Sequence, residues 1–135
     1  MAANATFKIA LYSSDLQSDI LDLSITNNLV AATQGGLLRM DLKTTASTGT
    51  FIADEDSYTD TTKLFIYNAS TNSGSASYIY VSFDAGATVH LAMKAGEWAL
   101  IPWTASGCPE ASDQLDLHMW AQTAANTVEY GLFDV

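Results

Sequence analysis

An all-β antiparallel β-sandwich, with the jelly roll as its expected form, is what this sequence predicts. Three observations predict it. Apolar and polar residues alternate at period two in short segments, the signature of strands with one buried face. Clusters of Gly, Ser, Thr and Asn separate those segments and supply turns. No segment holds apolar residues at helical spacing long enough for an amphipathic helix.

The elements follow in chain order. Residues 1–5 are expected to form a short N-terminal arm, either paired with a neighbour's sheet edge or frayed, ahead of a single sandwich domain over residues 6–135. Phe7, Ile9 and Leu11 share one face of a first strand. Asp15–Leu21 fits one helical turn, with Ser14 or Asp15 as its cap. Leu21, Leu23 and Ile25 alternate again, Gly35-Gly36 opens a strand at Leu37–Leu42, and Thr50–Ala53 makes a short one. Leu64 and Ile66 mark the next, and Tyr78–Phe83 is apolar or aromatic nearly throughout, as a central strand would be. Val89, Leu91 and Met93, then Glu97–Ile101, then Leu115, Leu117 and Met119, then Val128, Tyr130 and Leu132 bring the total to about nine or ten strands. Turns at Ser70–Ser77, Asp84-Ala85-Gly86 and Lys94–Glu97 predict a meander or Greek key from Thr61 to Val135.

Composition narrows the function. A chain of 135 residues has room for one domain, with a core that needs no disulfide or structural metal. Five Lys and Arg against fifteen Asp and Glu give a formal net charge of -10, opposite to what a phosphate backbone attracts, so nucleic acid is not an expected partner. Only 15% of residues are charged while 48% are hydrophobic, which argues against disorder and leaves a surface with partners to bury. No apolar run reaches the roughly 20 residues that cross a bilayer, and Met1–Ala5 lacks the start of a signal peptide. The expectation is a soluble chain made in the cytosol, with no membrane partner. Cys108 is the only cysteine, which leaves no intrachain disulfide.

The inventory for catalysis is thin. His90 and His118 are expected on strands with their rings away from the apolar face, and neither has a second His or Cys at ligand spacing. Val89–Trp103 has the rhythm of a cupin strand pair without the clustered His ligands such a metal site needs. Asp54, Glu55, Asp56 and Asp60 form the densest acidic cluster, either oxygen ligands for a hard cation or a solvated loop, and they lack the EF-hand Gly and terminal Glu. No nucleophile elbow and no phosphate loop occurs. The expectation is a non-enzymatic protein with no cofactor.

Aromatic residues carry more information. Trp98, Trp103 and Trp120 with six tyrosines give a small sandwich many amphipathic rings, suited to subunit interfaces or sugar platforms. Phe7, Tyr12, Trp98, Trp103, His118 and Trp120 are the interface candidates, with a place in the core as the alternative for Trp98.

Four segments together carry a likeness: Lys63-Leu64-Phe65-Ile66-Tyr67-Asn68, Tyr78–Phe83, the run from Leu91 through Ala95-Gly96-Glu97-Trp98 to Ile101-Pro102-Trp103, and Val128-Glu129-Tyr130-Gly131-Leu132-Phe133. Over residues 61–135 the chain resembles small β-sandwich virion proteins of tailed bacteriophages, notably marine and cyanobacterial phages. The resemblance implies a capsid decoration or cement protein that binds the outer shell through the major capsid protein, commonly as a homotrimer, on the capsid exterior. Tail or fibre components are alternatives within that likeness. A carbohydrate-binding or adhesin-like module, using exposed rings to stack on sugars, is the alternative from a different class.

Overall fold

Alternation translates into strands because each second side chain can enter one shared core. In the strand Lys63–Asn68 the even-numbered residues Leu64, Ile66 and Asn68 are buried and the residues between them are half-buried. Asn126–Phe133 repeats the pattern, with Asn126, Val128, Tyr130 and Leu132 inward. The computed structural model describes residues 3–13, 21–31, 35–44, 49–54, 57–58, 62–84, 86, 88–103 and 116–133.

Ten strands are described: β1 (Ala3–Ser13), β2 (Leu21–Ala31), β3 (Gly35–Leu42), β4 (Thr50–Ala53), β5 (Lys63–Asn68), β6 (Ile79–Ser82), β7 (Leu91–Met93), β8 (Trp98–Pro102), β9 (Leu117–Ala121) and β10 (Asn126–Phe133). A 3₁₀ turn covers Gly74–Ser77. The fold is an antiparallel β-sandwich. One sheet has the order β3-β10-β5-β8, the other β4-β9-β6-β7, and β1 and β2 form a separate two-stranded hairpin. Within the sandwich the strands pair first with last: β3 with β10, β4 with β9, β5 with β8 and β6 with β7. The chain is thus one long nested hairpin whose tip lies between β6 and β7, rolled so that β10 also meets β5 and β9 also meets β6. Of the expected meander or Greek key, the meander does not form, since only β6 and β7 pair as chain neighbours within that half. Short turns in the sequence fix where strands end, not which strand each one joins.

Leu64, Ile66, Val128, Tyr130 and Leu132 from the first sheet face Ile79, Val81, Met93, Leu117 and Met119 from the second, and Trp103 closes one side. Burial pushes the Tyr130 phenol above its ordinary value, so the ring enters the core neutral. Ala3–Ala5, expected in an arm, are the first rungs of β1, paired with Leu29–Ala31. Leu21, expected to end a helical turn, opens β2 against Ser13, while residues 14–20 lie outside the described residues.

Two buried asparagines tie the sheets together at one end. The Asn68 amide nitrogen donates to the carbonyls of Ser77 and Met93 at 2.8 and 2.9 Å, and its oxygen accepts from the Ser70 N–H at 3.2 Å. The Asn126 amide nitrogen donates to the carbonyls of Ala76 and Tyr78 at 3.0 and 2.9 Å. Its oxygen accepts from the Ser70 hydroxyl at 2.6 Å and the Asn72 amide at 2.7 Å. Both side chains start in the first sheet and hold the connector that carries the chain from β5 to β6 in the second.

Asn126→Ala removes the donor to the Ala76 carbonyl and the acceptor of the Ser70 hydroxyl and the Asn72 amide, while the Tyr78 carbonyl keeps the Gln122 N–H at 3.1 Å; a buried polar group left unpaired costs about 1–3 kcal/mol. Chemical denaturation is expected to show a loss of about 2–4 kcal/mol, and a loss no larger than that of a Ser73→Ala control, at an exposed residue whose side chain makes no capping hydrogen bond, would contradict the account.

Candidate functional site

The outer face of the first sheet is aromatic. Cross-strand register places Tyr67 opposite Trp98 and Phe65 opposite Leu100, all on the side away from the core, since Leu64, Ile66 and Ala99 point inward. Trp98 remains 51% exposed, so it is a surface ring and not a core residue. Phe7 of β1 meets it edge-on with ring centroids 6.1 Å apart. Phe7 and Lys8 with Phe65, Tyr67 and Trp98 enclose a cleft of about 320 Å³ between the hairpin and the sheet. Isolated two-stranded hairpins are marginal in water, so β1 and β2 depend on this seat. Each strand has 11 residues, on the order of 35 Å when extended, which carries the hairpin well past its aromatic anchor. Ile25, paired with Ile9, and Tyr12 are exposed on it.

The outer face of the second sheet is built differently. Trp120 and His118 point outward from β9, opposite Tyr80 and Ser82 of β6. Trp120 is nevertheless only 6% exposed. Tyr80 packs on it at 5.7 Å, and the backbone of Gly49 crosses its ring so closely that a Cβ there would stand 2.9 Å from Cε3. Gly49 also has a φ of 64°, so both space and conformation demand glycine. His118 is half-buried under Phe51, edge-on at 5.5 Å. Tyr80 and Tyr78, two residues apart, share one side of a groove of about 600 Å³ with Ala92, Lys94, Gln122 and the 3₁₀ turn.

The remaining sequence candidates separate. Trp103 is 4% exposed and packs on Tyr58 at 5.5 Å, so it belongs to the core of this chain. Tyr12 is 66% exposed near the far end of the hairpin. Asp54 is exposed, and its carbonyl accepts from the Ser57 N–H at 3.2 Å. Glu55, Asp56 and Asp60 lie outside the described residues, as does Cys108. Among the described residues no three His, Cys, Asp or Glu side chains come together as a metal would require.

His90 sits just before β7 and not within a strand. Its Nδ1 accepts from the Phe83 N–H at 3.1 Å, and its ring packs on Phe83 at 5.5 Å. This closes a loop organised around Asp84, whose carboxylate accepts from the Ser82 hydroxyl at 2.5 Å and the Thr88 N–H at 2.8 Å. Sequence reading missed this cluster, although Ser82 and Asp84 flanking a turn are residues that bond back to backbone.

Compared with family models, curated proteins and solved structures, the chain matches none.

Two outcomes follow from these surfaces. Partial burial pushes the Asp84 carboxyl up, but hydrogen bonds from Ser82 and Thr88 and the charge of His90 outweigh it and hold it at about 2 against an ordinary 3.8. A depressed carboxylate stabilises fully above its unfolded value and loses that effect as pH falls through about 2. Asp84→Asn is therefore expected to lower Tm near neutral pH, with the deficit shrinking from about pH 4 down to about pH 2; a deficit independent of pH would refute this origin.

Trp98→Ala removes the hairpin's seat. Limited proteolysis read by mass spectrometry is expected to show cleavage within residues 3–31 at least about tenfold faster, with the sandwich's unfolding midpoint little changed. Unchanged cleavage would mean the hairpin is held by something else.

Proposed function

We propose that this protein is a non-enzymatic structural component of a bacteriophage virion, a capsid decoration protein that binds the major capsid protein on the outer shell and acts as a homotrimer. One observation carries the reading: among the described residues, of the four edge strands of the two sandwich sheets, β3 alone is left suited to pairing, and it exposes leucine. Sheet edges template association unless blunted. β7 is only three residues long, β8 ends in Pro102, and β4 carries a register shift between Phe51 and Ala53. β3 runs eight residues with neither proline nor register shift, and Leu37 and Leu38 are 68% and 59% exposed.

The hairpin extends the same argument, because Ile25 and Tyr12 are large apolar or aromatic side chains exposed on it. A chain with few charges gains from burying such surface against neighbours, and repeated weak contacts on a symmetric shell add strongly. The first-with-last nesting supports the jelly-roll form, an architecture shared by viral capsid and lectin domains. That likeness of form raises the assembly reading without assigning it. A sugar platform made of the three tryptophans is not favoured, because Trp103 and Trp120 are buried.

Light scattering is expected to return a concentration-independent mass near three times 14.4 kDa. Leu37→Asp with Leu38→Asp is expected to reduce it to the monomer, since two buried carboxylates per interface are costly to desolvate. Co-sedimentation with undecorated phage heads then tests shell binding. A monomer at all concentrations that also fails to sediment with heads would end the proposal.

A further inference from the structure

A tyrosine-floored groove on the second sheet's outer face fits a ligand of its own. Strand register fixes its shape. Ile79 pairs with Met93 on one side and Ala121 on the other, which sets Tyr78 between Lys94 and Gln122 in one row. In the next row Tyr80 stands between Ala92 and Trp120. Ala92 is the step in this surface, where a methyl group beside two phenol rings leaves the floor open. The groove holds about 600 Å³, inside the range of roughly 300–1,000 Å³ common to small-ligand sites.

Polar groups surround the aromatic floor. Lys94 places its ammonium 5.6 Å above the Tyr78 ring and makes no ion pair among the described residues. Gln122 supplies an amide on the opposite side, and Ser75 an exposed hydroxyl on the 3₁₀ turn. Gly74, with φ of 61° and open space where a Cβ would be, keeps that rim low. The Ser77 hydroxyl is already spent on the Gly74 carbonyl at 2.7 Å. The turn itself is held from behind by Asn68 and Asn126, so the wall is fixed before any ligand arrives.

We propose that this groove binds a neutral pyranose sugar. A pyranose has an apolar C–H face and a rim of hydroxyls, and the groove offers phenol rings for the first and ammonium, amide and hydroxyl groups for the second. Neutrality follows from charge. The chain carries a formal net -10, and the groove's single cation already lies over an aromatic face, so an anionic sugar meets net repulsion at long range. The inference is independent of the assembly reading, because it rests on the other sheet.

The test titrates the full chain with glucose, galactose, mannose and N-acetylglucosamine, and with glucuronate and galacturonate, by ligand-observed NMR. Saturable binding of at least one neutral sugar is expected. Ala92→Phe fills the floor at an exposed position on an edge strand and is expected to weaken that binding at least tenfold while circular dichroism and Tm hold. Tyr80→Phe keeps the stacking ring and is expected to leave binding within about twofold. No saturable binding by any sugar, binding of the acidic sugars alone, or binding indifferent to Ala92→Phe would each overturn the proposal.

Discussion

The paired asparagines Asn68 and Asn126 are the constraint on which this structure turns. A sandwich must carry its chain between sheets, and each crossing exposes backbone that no ladder satisfies. Here the crossing from β5 to β6 runs across the end of the core, where an unpaired carbonyl would be stranded. Two amide side chains, both buried, answer the carbonyls of Ala76, Ser77, Tyr78 and Met93. A buried polar network of this kind is stable only when complete, which makes it specific as well as stabilising. It also sets the phase of β6, because fixing Ser77 and Tyr78 decides that Ile79 and Val81 point inward and Tyr78 and Tyr80 outward.

From that phase the outer surfaces follow. With few charges to spend, the chain covers the outside of both sheets with aromatic and apolar groups and then shields them by different means. On the second sheet a glycine and a tyrosine bury Trp120 within the chain itself. On the first sheet a separate hairpin lies over Phe65 and Tyr67 and leaves Trp98 half open. Arg39 pairs with Glu129 at 3.0 Å and Thr127 with Asp41 at 2.7 Å along the same face, exposed contacts that mark register more than they add stability.

What was legible in the sequence was local. Period-two alternation located β5, β9 and β10 closely, because a residue such as Ile66 must choose between core and solvent whatever strand lies beside it. Partner choice was not legible. Nothing in Val128-Glu129-Tyr130 says that it will lie between Met40-Arg39-Leu38 and Asn68-Tyr67-Ile66, since that pairing is decided by the total core the nesting buries. Trp103 and Trp120 show the same limit: their size announced importance, but Trp120 is buried by Gly49, about 70 residues away, through a contact only the rolled-up chain creates. Tyr78 and Tyr80 were visible as rings and invisible as a site, because the site needs Ala92 and Lys94 from β7 beside them.

The two proposals fit together through one geometrical fact, that the sheets of a sandwich present their outer faces in opposite directions. Sheets packed about 10 Å apart share a core and no outer surface. The hairpin and the aromatic seat beneath it lie on the first sheet's outer face, with the open β3 edge bordering that face, while the tyrosine groove lies on the second. A protein that docks through the hairpin side therefore keeps the groove turned away from whatever it docks on. Occupation of one side has no steric consequence for the other. Any coupling between them would have to pass through the asparagine network, which touches the groove wall on one side and the end of β5 on the other. Because both amides of that network are hydrogen-bonded on their nitrogen and their oxygen, shifting either would break several bonds at once, and the physical expectation is two surfaces that act independently.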